Sequence, residues 1–239
     1  MSRYTEMLFS SVCVERDILF ATLPGYNRQQ TPTELAIDVY APEGDTEENR
    51  RAVILVHGGG FCGGDRRKGF PERFGSLLTQ YGYVCFSVDY RLFLEGNRPK
   101  HPTAAPYAAM DIECARRFIT ENAERFRVDA AHIAICGASA GGMGSLEACR
   151  IHTAYTAFVC LWGTYDNAMV PSSYPPTILI HGTADQSVSY AFSEAFYAKL
   201  QEKGIPTELI PLEDAPHTAI KWLGEFEERM IRFLDTYAV

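Results

Sequence analysis

The sequence predicts an α/β fold: a mainly parallel central sheet flanked by helices, with antiparallel strands at its N-terminal end. Three observations lead to it. Short apolar runs at 53–56, 83–88, 132–136, 156–162, 177–180 and 207–212 alternate with stretches of helical period, the pattern of right-handed strand–helix–strand crossovers. Near the N-terminus, Leu35, Ile37 and Val39 instead alternate with Glu34, Ala36 and Asp38, the period of two expected of a half-buried antiparallel strand. Finally, the run ending at Cys136 breaks into Gly137-Ala138-Ser139-Ala140-Gly141, small residues that read as a sharp strand-to-helix turn.

In chain order, residues 14 to 40 read as two strands, punctuated by Pro24-Gly25 and ended by Pro42-Glu43-Gly44-Asp45. A polar, acidic loop to Arg51 leads into the strand 53–56 and the glycines Gly58, Gly59 and Gly60. Residues 71 to 81 form the first crossover helix, with Pro71 at its start and Phe74, Leu77 and Leu78 at helical spacing. After strand 83–88, residues 92 to 105 read as an irregular loop because of Pro99 and Pro102, with His101 alone in it. A helix from about 106 to 122 follows, with Ala109, Ile112, Ala115 and Ile119 on its buried face and Asp111, Glu113, Arg116 and Arg117 on a solvated one. The Ser139 turn opens the next helix. Residues 163–176 are a loop carrying Tyr165 and Tyr174, 189–203 are helical and stopped by Gly204 and Pro206, and 218–236 form the last helix. No repeat, low-complexity tract or linker interrupts this series, so residues 1–239 are expected to form a single domain.

The turn at Ser139 is the candidate centre of chemistry. Glycines at 137 and 141 permit a tight bend with the serine at its tip, where its hydroxyl stands above the sheet at the positive end of the following helix. His57-Gly58-Gly59-Gly60-Phe61 follows the strand 53–56 and supplies backbone N–H groups that can turn toward a carbonyl oxygen without Cβ crowding. Asp185 lies just past the strand 177–180, and His217 lies in the loop after the strand 207–212. Nucleophile, acid and base therefore come in the order Ser, Asp, His, the order found in α/β-hydrolases. The bland readings stand beside these: a lone G-x-S-x-G can be an ordinary loop, His181 at a strand end reads as structural, and His101, His132 and His152 lack ligand spacing.

Taken together, HGGGF at 57–61, DYR at 89–91, GASAGG at 137–142 and HGTADQSV at 181–188 resemble the α/β-hydrolase esterases of the hormone-sensitive-lipase and carbohydrate-esterase type, from about residue 12 to the C-terminus. The resemblance implies the α/β-hydrolase fold, with Ser139 as nucleophile, Asp185 as the acid of the triad and His217 as the base. It also implies oxyanion-hole N–H groups from Gly59, Gly60 and Ala140. The chain departs from many relatives in two ways. The short span from Ser139 to Asp185 leaves room for a minimal cap or none, and Ala215-Pro216 precede His217 where relatives often have a glycine. Phe61, Cys62 and Tyr90 are expected to line the substrate pocket, as are Tyr165 and Tyr174.

The expected activity is hydrolysis of short-chain acyl esters, acetylated sugars or small aryl esters being the candidates. The same residues would also suit an arylformamidase or amidase, and a silent hydrolase-fold binding protein would be expected to have lost one of them. The expected partner is a small-molecule ester, and the expected cofactor and metal are none. A formal net charge of −8 argues against nucleic acid or an anionic membrane as partner. Seven cysteines without C-x-x-C spacing fit a reducing, cytoplasmic compartment, and no leader or apolar run of about 18 residues is evident. The last helix or a sheet edge could support a homodimer.

Overall fold

The computed structural model describes residues 4–26, 31–94, 97 and 99–238. Eight strands form one sheet in the order β1-β2-β4-β3-β5-β6-β7-β8: β1 (Val12–Pro24), β2 (Pro32–Pro42), β3 (Arg50–Val56), β4 (Val84–Val88), β5 (Val128–Ala138), β6 (Phe158–Leu161), β7 (Thr177–Gly182) and β8 (Thr207–Leu212). β1 pairs with β2 and β2 with β4 antiparallel, and every later pairing is parallel. The helices among the described residues are α1 (Phe70–Gln80), α2 (His101–Glu121), α3 (Ala123–Phe126), α4 (Ala140–Ile151), α5 (Tyr190–Glu202) and α6 (Leu223–Tyr237). This is the α/β-hydrolase fold. Among the described residues no helix is long and apolar enough to cross a membrane.

The central strands are continuous apolar runs because both of their faces are covered. Val53 and Leu55 of β3 face one helical layer, with Phe74 and Leu78 of α1 and Phe226 and Met230 of α6. Ile54 and Val56 face the other, with Ile112 of α2, Leu146 of α4 and Phe196 of α5. The parallel registers Ile54↔Ile135 and Val56↔Gly137 align the C-terminal ends of β3 and β5. The loops that follow them therefore emerge side by side, at the edge where open α/β sheets bind ligands.

Several expectations need correction. α2 begins at 101, within the stretch read as an irregular loop, because prolines are compatible with a first helical turn and Pro106 sacrifices only one early intrahelical bond. α3 was not anticipated, and the last helix is preceded by a 3₁₀ turn at 220–222. Asp111 and Glu113, assigned to a solvated face, are buried: Arg91 Nη2 donates to Asp111 at 2.6 Å, and Arg116 Nη2 and Arg117 Nε donate to Glu113 at 2.8 and 3.0 Å. Asp38, on the nominally polar face of β2, is also fully buried.

Asp38 ties the antiparallel end of the sheet to the loop after β3. It accepts Arg66 Nε at 2.9 Å, Arg67 Nε at 2.8 Å and the backbone N–H of Asp17 at 2.9 Å. Burial alone would raise its pKa, but the hydrogen bonds from Arg67, the Asp17 backbone and Arg66 outweigh burial and hold it at about 2. Replacing Asp38 with Ala leaves Arg66 and Arg67 without that partner and is expected to destabilise the fold by roughly 3 kcal/mol. The folded pKa lies below the ordinary 3.8, so the wild type should keep this contribution above about pH 4 and lose it as pH falls toward 2. Urea unfolding of both proteins at pH 7 and in that acid window measures it. An Asp38→Ala variant as stable as the wild type at pH 7 would refute the argument.

Candidate active site

Ser139 sits between β5 and α4 with φ 52° and ψ −122°, a conformation that L-residues rarely adopt. Its neighbours explain how the turn is tolerated. A Cβ on Gly141 would lie 2.2 Å from the Val56 carbonyl oxygen, and one on Gly137 would lie 2.4 Å from that of Gly141. Only hydrogen at both positions lets the helix start pack this closely on the ends of β3 and β5. The Ser139 N–H donates to the Leu161 carbonyl at 2.9 Å, fastening the turn to β6. Ala140 is the first residue of α4, where a backbone N–H has no acceptor in its own helix.

The glycine loop lies against this turn. Gly59 and Gly60 have φ 116° and 61°, and the Gly59 carbonyl accepts the N–H groups of Cys62 and Gly63 at 3.1 and 3.0 Å. A Cβ on Gly59 would fall 2.0 Å from the Gly63 carbonyl oxygen, so the loop can close only with glycine there. Its rear is held by the DYR segment: Asp89 pairs with Arg66, Tyr90 Oη donates to the His57 carbonyl at 3.0 Å, and Arg91 pairs with Asp111. The His57 ring stacks on Tyr90 at 4.4 Å, and its Nδ1–H donates to the Gly58 carbonyl at 2.7 Å. Burial lowers the His57 pKa, which favours the neutral ring seen as a brace.

The structure brings Ser139, His217 and Asp185 together. Ser139 Oγ stands 2.9 Å from His217 Nε2, and His217 Nδ1 stands 2.6 Å from Asp185 Oδ2. With its Nδ1 proton directed at the carboxylate, the imidazole presents the bare Nε2 to the serine hydroxyl. Burial would raise the Asp185 pKa, but the N–H of Val188, His217 and the N–H of Ser187 prevail and hold it below the usual carboxylate value. The two supporting loops grip each other. Ala184 N–H donates to the Ala215 carbonyl at 3.1 Å, Asp214 N–H donates to Thr183 Oγ1 at 2.9 Å, and a Cβ on Gly182 would strike the Ala215 carbonyl oxygen at 2.2 Å. Gly182, before Asp185, thus provides the close approach for the His217 loop, and Ala215-Pro216 fit without a glycine in that loop.

Ser139 and His217 open onto a cleft of about 530 Å³ that also takes in Gly58, Gly59 and Gly60. Its apolar walls are Phe70, Pro71, Trp162 and Val188. Phe61 and Tyr90, expected to line the cleft, are not part of its wall: they pack edge to face behind the glycine loop, where Tyr90 Oη holds the His57 carbonyl, and so support the cleft from beneath. Cys62 is half-buried and outside the cleft wall. Tyr174 is buried, with its hydroxyl on the Leu146 carbonyl, and Tyr165 borders a separate hollow of about 360 Å³ beyond Ser187 and Val188. Trp162 carries no specific signal in the sequence; its place at the cleft follows from Leu161 before it, whose register partner on β5 is Ala138 beside the serine.

Known proteins support the fold and the grouping of these loops. The BD-FAE family model matches residues 37–154, which include the glycine loop and Ser139, and the prolyl oligopeptidase family model matches 162–238, which include Asp185 and His217. Arylacetamide deacetylase-like 2 of Homo sapiens is 29% identical over 144 residues, covering 58% of this chain, and the chain spans 31% of that relative's length. A truncated carbohydrate esterase from gut microbiota superposes with a TM-score of 0.72 at 15% identity, covering 98% of both chains. A thermophilic esterase of Thermogutta terrifontis, solved with propionate bound, superposes with a TM-score of 0.69 at 21% identity over 99% of both chains. Strand order, glycine loop, the Ser139 turn and these likenesses agree on the α/β-hydrolase fold, with one half of the chain similar to the BD-FAE family and the other to the prolyl oligopeptidase family.

Proposed function

We propose that the protein is a serine hydrolase that cleaves carboxylic esters with short acyl groups, using Ser139 as nucleophile, His217 as base and Asp185 as the acid of the triad. The observation that carries the reading is the unbroken line from Ser139 Oγ to His217 Nε2 at 2.9 Å and from His217 Nδ1 to Asp185 Oδ2 at 2.6 Å, at the edge of a cleft that includes the glycine loop.

The chemistry follows from that line. Ser139 Oγ bonds to the ester carbonyl carbon while His217 Nε2 takes its proton, and the carbonyl π electrons move onto oxygen. The N–H groups of Gly59, Gly60 and Ala140 receive this oxyanion, and each such donor is typically worth roughly 100- to 1,000-fold in rate. Collapse of the intermediate expels the alcohol, to which His217 returns the proton. Water then attacks the acyl-serine with the same base, releasing the carboxylic acid and restoring Ser139.

The acyl preference is argued from the cleft. Among the described residues the β6–β7 connection, 162–176, contains no helix that could roof it, and Phe70, Pro71 and Trp162 offer a short apolar surface. The propionate held by the Thermogutta terrifontis esterase suits the same reading. With p-nitrophenyl esters, kcat/KM is expected to fall from butyrate onward. Equal or faster hydrolysis of the decanoate would overturn the short-chain assignment. A fluorophosphonate should label Ser139 covalently, as read by peptide mass spectrometry, and failure to label a folded protein would overturn the serine mechanism. The likeness to arylacetamide deacetylase-like 2 favours one second reading, cleavage of aryl amides by the same residues. Faster turnover of an N-aryl acetamide than of the matching aryl acetate would establish it.

A further inference from the structure

Asp185 serves two histidines. Its Oδ1 accepts the backbone N–H groups of Ser187 at 2.7 Å and Val188 at 2.9 Å. Its Oδ2 lies 2.6 Å from His217 Nδ1 and 3.0 Å from Nε2 of His181, so each carboxylate oxygen meets two donors. His181, in β7, is fully buried. Its Nε2 is also 3.0 Å from the Val188 carbonyl. Two acceptors, one of them anionic, face that nitrogen, so it carries the ring proton.

The other side of the ring is held just as closely. His181 Nδ1 stands 2.7 Å from Ser193 Oγ in α5, and Ser193 Oγ stands 2.9 Å from Thr164 Oγ1 in the loop after β6. Both hydroxyls are buried. Ser193 donates to the bare Nδ1 and accepts from Thr164, so the chain Thr164–Ser193–His181 ends in an N–H aimed at Oδ2. Burial lowers the His181 pKa, in keeping with a neutral donor. An apolar side chain could join β7 to α5; directing an N–H at the carboxylate oxygen used by His217 is a more particular arrangement.

We propose that His181 is a positioning residue for the hydrolytic reaction, its Nε2–H fixing the orientation of the Asp185 carboxylate and sharing the oxygen that supports His217. The inference rests on the serine-hydrolase reading of the site. It has two consequences of different kind. Loss of the N–H frees the carboxylate to turn, which lowers the rate. It also leaves more of the charge on Oδ2 for His217, which stabilises the imidazolium, so the base protonates at higher pH. Other titratable groups near the pair are Tyr190, edge-on to His181 from α5 at 5.8 Å, Glu213 and Asp214 before His217, and His57, Asp65 and Lys68 around the cleft. The variants below leave all of them in place.

The test compares His181→Gln with His181→Asn. The Gln amide nitrogen reaches the level of Nε2 and can still donate to Asp185, whereas the Asn amide reaches only the level of Nδ1 and meets Ser193. For wild type and both variants, kcat, KM and the rate of fluorophosphonate labelling at Ser139 are measured from pH 4.5 to 9. The Asn variant is expected to lose about tenfold in kcat with KM little changed, and its acid limb in kcat/KM and in labelling should move up by about half a pH unit. The Gln variant should keep the limb at its wild-type position. Equal losses in both variants with the limb unmoved would make His181 structural only and overturn the proposal. If the Asn variant does not fold, Ser193→Ala takes its place: it removes the hydroxyl that holds the ring and should shift the limb in the same direction by less, and no shift would likewise overturn the proposal. A folded wild type that neither labels nor hydrolyses would instead overturn the serine-hydrolase reading, and this one with it.

Discussion

Ser139→Ala is expected to lower ester hydrolysis by about 10⁴- to 10⁶-fold without altering the fold. The size of the effect follows from what the side chain does. In the proposed mechanism, loss of the Oγ leaves nothing to form an acyl-enzyme and leaves His217 no proton to take at 2.9 Å. What remains is a cleft whose N–H groups can still polarise a carbonyl for attack by water, which is why some catalysis over solution should survive. Stability should hardly change, because alanine bears the same backbone conformation at φ 52° as serine does and, among the described residues, the side chain gives up only its hydrogen bond to His217. The measurement is the initial rate on p-nitrophenyl acetate with a thermal melt alongside. A variant within tenfold of the wild type in rate would remove Ser139 from the mechanism, since a nucleophile cannot be deleted so cheaply.

The sequence carried the sheet and the three candidate residues for a common reason: each is announced locally. A buried parallel strand is an apolar run, and the residues immediately past such runs at 56, 138, 182 and 212 reach the same edge of the sheet whatever the rest of the chain does. The close approach that makes glycine necessary at 137 is also short-range, to the Gly141 carbonyl four positions on, whereas the one at 141 reaches across to Val56 at the end of β3.

The buried charges were illegible because their partners lie far off along the chain. Asp38 is neutralised by Arg66, 28 positions away, and Asp111 by Arg91, 20 positions away. A carboxylate in an amphipathic pattern looks solvated until a guanidinium is seen to meet it. Phe61 and Tyr90 were misplaced for a related reason. Periodicity does not reveal which side of a loop turns inward, and here both aromatics pack under the glycine loop while Trp162 and Phe70 face the cleft. The role assigned to His181 needs distances as well, since nothing in HGTADQSV tells whether its histidine points at Asp185 or away from it.

Asp185→Asn should cost about 10⁴-fold in kcat, far more than any change at His181, and the difference lies in the lone pairs. The carboxylate receives donors on both oxygens: two backbone N–H groups on Oδ1 and two imidazoles on Oδ2. An amide has one oxygen. If that oxygen stays with Ser187 and Val188, the NH₂ group is driven against His217 Nδ1 and His181 Nε2–H. His217 then avoids the clash by moving its proton to Nε2, the tautomer that cannot accept from Ser139. If the amide flips, the two backbone N–H groups lose their acceptor and face the NH₂, and the loop that carries Asp185 loosens. Either way the imidazolium formed during attack has no anion beside it. The rate should therefore stay low at every pH from 5 to 9, in contrast to His181→Asn, whose loss is partial and whose acid limb moves. Full pH–rate profiles of the two variants, with folding checked by circular dichroism, separate these outcomes. An Asp185→Asn enzyme that regains most of its activity at high pH would show that a neutral acceptor suffices, and that the charge of Asp185 matters less than the orientation it gives His217.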